Sequence, residues 1–139
     1  MATSFLARIA KKPVPPELLK AALHAIGELP DEDRNDMTGR VIAVIRVLDE
    51  HDVPKDLQDR GDLLTGIQFR LEALARLKDE PAYRAWSMKS KTPGMDYIHE
   101  DLVEAAAVEP LKLGKRVARF DQKSFFKRVL AISKTRGRA

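Results

Sequence analysis

The stretch from Leu63 to Leu77 constrains the fold most. Leu63, Leu64, Ile67, Leu71, Leu74 and Leu77 recur at helical spacing, which places them on one side of a helix and cannot place them on one face of a strand. Other stripes of the same period lie on both sides. Pro16 is suited to the first turn of a helix with Glu17 beside it, and Leu18, Leu19, Ala22, Leu23, Ile26 and Leu29 follow as its inner face. Asp31-Glu32-Asp33 reads as an acidic helix start, continued by Met37, Val41, Val44, Ile45 and Leu48. Ile42 and Val47 widen that stripe around most of the circumference, which predicts a central helix. Ile98, Leu102, Val103 and Ala106 form a further inner face that ends by Pro110.

Shorter segments complete the pattern. Ser4 is placed to cap a helix using Phe5, Leu6 and Ile9, which the Pro13-Val14-Pro15-Pro16 run stops. Pro81 opens a short helix through Tyr83, Trp86 and Met88, and Lys89 to Gly94 reads as a surface loop. The fold class expected is all-α: a compact single-domain bundle of about five to seven helices over residues 1–133. Residues 1–12 are read as an N-terminal docking helix and 134–139 as a frayed basic end. A chain of 139 residues buries enough surface to need no covalent staple. With 6% aromatic content, its core must be mostly Leu, Val, Ile and Ala.

Charge is segregated along the chain. Residues 110–139 hold ten Lys or Arg against one acid, Asp121, a net charge of +9, while the rest of the chain carries −5. Such segregation speaks of partners rather than of fold. Within this end, Leu113, Val117 and Phe120 are spaced i, i+4, i+7, and Phe125, Phe126, Val129, Leu130 and Ile132 define a second stripe, so a basic C-terminal helical pair meeting at Asp121 is expected. Asp121 as N-cap puts Phe120 and Phe125 at the spacing of a hydrophobic staple. A hairpin across Gly114 fits the Leu111/Leu113 alternation but is too short to stand without partners.

Catalytic and metal chemistry find little support. The absence of cysteine excludes disulfides, thiolate zinc and cysteine nucleophiles. Asp96, His99 and Glu100 share a helix face, yet carboxylates in a first turn are what the helix dipole favours anyway. Asp31 to Asp36 resembles a calcium loop without its glycine at position six and with Ile42 where the bidentate glutamate belongs. No glycine-rich phosphate loop or nucleophile elbow occurs. A helix-turn-helix around residues 54–78 would have to turn near Gly61. A non-catalytic protein without cofactor is expected.

The basic end is left as the segregated signal. The leading expectation is binding of nucleic acid, DNA or RNA, with phosphates contacted by Lys112, Lys115, Arg116, Arg119, Lys123, Lys127, Arg128, Arg136 and Arg138. Arg116, Arg119, Lys123 and Lys127 would form one ridge on an unbroken helix, or two patches if the helix bends at Asp121. The alternative is a protein–protein adaptor or inhibitor, of the type encoded by mobile elements and phages, docking on an acidic partner surface. Either reading allows a homo-oligomer or a subunit of a larger complex. No apolar run is long enough to span a membrane, so a cytoplasmic protein without a membrane partner is expected.

Overall fold

The computed structural model describes residues 5–53, 57–77, 96–113 and 118–135. They form α1 (Phe5–Lys11), α2 (Pro16–Gly27), α3 (Asp31–Arg34), α4 (Met37–Glu50), α5 (Leu57–Leu77), α6 (Asp96–Val108), β1 (Leu111–Leu113), β2 (Ala118–Phe120) and α7 (Gln122–Thr135). The all-α class holds, with a three-residue antiparallel hairpin added. Ser4, the segment around Tyr83, Trp86 and Met88, and the loop Lys89 to Gly94 lie outside the described residues.

The central helix is α5, which packs against α1, α2, α4, α6 and β2. Ile67, Leu71, Leu74 and Leu77 are buried along it, and each such side chain contributes about 2 kcal/mol of transfer free energy. The helix runs unbroken through Gly61, which removes the turn that a helix-turn-helix would need there. Arg70 interrupts the apolar stripe yet is fully buried. Its Nε donates to the Ala106 carbonyl at 2.9 Å, and its Nη2 donates to Lys12 at 3.0 Å and Glu109 at 3.1 Å.

These acceptors belong to chain ends. The last carbonyls of a helix have no partner within it, and Arg70 supplies one to α6 while also tying down the residue after α1. Val14 does the same from the proline run, its N–H donating to the Ala107 carbonyl at 2.8 Å. A Cβ at Gly66 would meet Val14 Cγ1 at 3.3 Å and Arg70 Nη1 at 3.4 Å, so the glycine one turn before Arg70 gives this junction its room. Burial lowers the Arg70 pKa to about 10, which leaves it charged at neutral pH.

Two expectations for α4 are corrected. It begins at Met37 rather than in the acidic run, because Asp36 turns extended and its Oδ2 accepts the Gly39 N–H at 3.2 Å. Asp31 to Arg34 forms a separate short helix, and the turn between the two is tight enough that a Cβ at Gly39 would lie 2.6 Å from the Asp33 carbonyl oxygen. Nor is α4 central. Ala43, Val44, Val47 and Leu48 are buried, while Met37 is 61% and Ile42 46% exposed, so its wide stripe covers one neighbouring face and leaves the remainder outside. The helix closes with Asp52 in the left-handed region at φ 53°, while Val53 N–H reaches the Leu48 carbonyl and Asp52 N–H that of Asp49.

The C-terminal helical pair is also corrected. Its first half is the hairpin, with Leu111 opposite Phe120, Lys112 opposite Arg119 and Leu113 opposite Ala118. The missing partners are supplied in three dimensions, since β1 packs against α1 and β2 against α5. Leu111 and Phe120 are consequently buried. The second half is the helix expected: Ser124 N–H approaches Asp121 Oδ1 at 3.4 Å, and the Phe120 and Phe125 rings stack with centroids 4.6 Å apart.

Candidate nucleic-acid interface

The hairpin and α7 hold the basic residues through packing of their inner faces. Alternation along β1 and β2 buries Leu111 and Phe120 and turns Lys112 and Arg119 outward as a cross-strand pair. On α7, Phe125 and Val129 are buried, Phe126 and Ile132 are partly buried, and Lys123, Lys127, Arg128 and Lys134 are exposed. The continuous ridge expected for an unbroken helix is therefore split: Arg119 lies on the hairpin, and Lys123 and Lys127 lie one turn apart on α7. Lys115, Arg116, Arg136 and Arg138 lie outside the described residues.

Not all of these cations are equally available. Lys112 Nζ lies 3.2 Å from Asp121 Oδ2, and Arg128 Nε lies 3.7 Å from Glu109 Oε2. Asp121 is held below the usual carboxylate range by the Lys112 hydrogen bond and by the N–H groups at the start of α7. Glu109 is shifted the other way, its burial outweighing the attraction of Arg128. Arg119, Lys123, Lys127 and Lys134 make no ion pair among the described residues.

One further cation joins them from α5. Arg76, Lys112 and Arg119 line an open cleft of about 440 Å³ floored by Ala73, Leu77 and Phe120, with Asp121 as the one carboxylate among its described lining residues. Arg76 belongs to the acidic part of the sequence, so a count of charge along the chain gives no reason to group it with the basic end. Its position after Ala75 in the last turn of the central helix was the available signal. Lys134, four residues beyond Leu130, extends the exposed α7 face.

The remaining candidates are accounted for differently. Among the described residues no group of three or more His, Asp or Glu is placed to hold a metal ion. Glu100 and Glu104, one turn apart on α6, both accept hydrogen bonds from Lys20 Nζ, at 3.1 and 3.0 Å. Burial works against the charged form of Lys20, but these bonds outweigh it and raise its pKa. Asp49 is engaged by Arg60. Among the described residues, no helix is long and apolar enough to cross a membrane. No protein-family model, curated protein or solved structure matches the chain.

Proposed function

We propose that the protein binds nucleic acid without catalysis, gripping backbone phosphates with the outer face of the hairpin and α7. The observation that carries this reading is the set of cations without ion-pair partners among the described residues, Arg119, Lys123, Lys127 and Lys134, on elements fixed by buried Phe120, Phe125 and Val129. Charges held on a packed scaffold meet a phosphate row at low ordering cost. Arg76 and Lys112 add to the same end of the molecule. The aromatic rings there favour backbone contact over base stacking, since Phe120 and Phe125 are buried in their own stack.

Fluorescence anisotropy with a labelled duplex of about twenty base pairs at low salt tests the reading, a length chosen to span two turns of the groove. Saturable binding is expected, and Arg119→Glu with Lys123→Glu and Lys127→Glu should abolish it while leaving the helical circular dichroism intact. Unchanged binding by that variant refutes the assignment. Complete lack of affinity, together with capture of an acidic protein after nuclease treatment, would favour the adaptor reading.

A further inference from the structure

We propose that a second site, the apolar groove between α2, α5 and α6, binds a small apolar carboxylate such as a fatty acid. The groove has a volume of about 860 Å³, within the range of ligand pockets and enough for a medium acyl chain. Leu71, Leu74, Leu102 and Val103 floor it, with Leu23 and Ile26 on one side. These are side chains of the core itself, so an apolar occupant would extend the core rather than sit on a polar surface.

The rim specifies the charge of the occupant. Arg34, Arg40 and Arg76 border the groove, with Glu72 the one carboxylate among its described lining residues, and Arg34 Nη1 also lies 3.3 Å from Asp31 Oδ1. Two of these guanidinium groups are held in place by backbone carbonyls: Arg34 Nη2 donates to Gly27 at 3.1 Å and Leu29 at 2.9 Å, and Arg40 Nη1 donates to Arg34 at 2.9 Å. Each keeps further N–H donors, and a guanidinium fork already fixed in position favours a carboxylate. Gln68 also lines the groove, and its buried Nε2 has no acceptor among the described residues. That nitrogen is closed to water-sized groups, so it is a cost borne by the fold rather than a contact for the occupant. The groove is distinct from the basic cleft, with Arg76 bordering both.

Isothermal titration of dodecanoate into the full chain tests the assignment. Saturable one-to-one binding is expected below the micellar concentration, with methyl dodecanoate weaker by about tenfold because the charged hydrogen bonds are lost. Ala75, an exposed residue of the groove wall, provides the control: Ala75→Trp should block binding and Ala75→Ser should preserve it, both with the circular dichroism of the parent. Failure of dodecanoate to saturate, equal affinity for the methyl ester, or unchanged binding by Ala75→Trp would each overturn it. An acidic helical peptide that Ala75→Trp excludes, with no response to dodecanoate, would overturn it in favour of protein docking.

Discussion

Arg70 and the cations of the hairpin and α7 carry the same charge in opposite surroundings. Arg70 is fully buried, and carbonyls from α6, from the residues following α1 and α6, and from one turn back in its own helix surround it. Arg119, Lys123 and Lys127 face solvent and make no ion pair among the described residues. Removing a buried charge exposes unmet carbonyls, whereas removing an exposed one changes little besides the surface potential. The comparison separates cations that hold the fold from cations free to hold a partner, which a count of Lys and Arg along the chain cannot do.

The largest expected effect is on the buried side. Arg70→Leu should cost about 3–5 kcal/mol, because the carbonyls of Lys12, Ala106 and Glu109 lose their donor. Chemical denaturation monitored by circular dichroism reads this directly, and a loss below about 1 kcal/mol would break the comparison. Phe125→Ala should follow at about 3 kcal/mol, since it empties a fully buried ring position and ends the stack on Phe120.

A smaller effect depends on pH. Hydrogen bonds from Arg8, at 3.1 and 3.2 Å, hold the Asp62 carboxyl below its ordinary range, aided by Lys12. A depressed folded pKa contributes stability that is complete above the unfolded value and is lost as pH falls through the folded one. The melting temperature should therefore drop below about pH 4, and Asp62→Asn should flatten that limb. An acid limb as steep in Asp62→Asn as in the parent would contradict the assignment. The smallest effect belongs to the exposed face: Arg119→Ala, Lys123→Ala and Lys127→Ala together should shift stability by no more than about 0.5 kcal/mol. A larger loss would mean that these side chains hold the fold after all.

The difference between the two regions also explains what could be read from the sequence. The Asp121 cap and the Phe120–Phe125 staple were legible because they are local, set by residues within five positions of one another. The hairpin was not. Leu111 and Leu113 show its alternation, but its stability comes from α1 and α5, distant in sequence, and Leu113, Val117 and Phe120 happen also to fit a helical period. The central position expected for α4 belongs to α5 for a related reason. Apolar residues around most of α4 suggested burial, whereas α5 carries a buried arginine, Arg70, that lowers its apparent hydrophobicity. The clue to Arg70 was register, for it stands three residues after Ile67 and seven before Leu77, on the stripe that becomes the core. The basic face was legible as charge, but Arg76 joins it only through folding.

The central claim is that the exposed cations neutralise phosphates. Its most direct test is the affinity for one duplex measured across a series of salt concentrations, for the parent and for the variant combining Arg119→Ala, Lys123→Ala and Lys127→Ala. Each phosphate contact contributes about −0.9 to the slope of log affinity against log salt. A slope near −5 for the parent, made shallower by about 2.7 in the variant, is the predicted result for about six contacts of which three are lost. A flat response in the parent, or identical slopes in the two proteins, would contradict it.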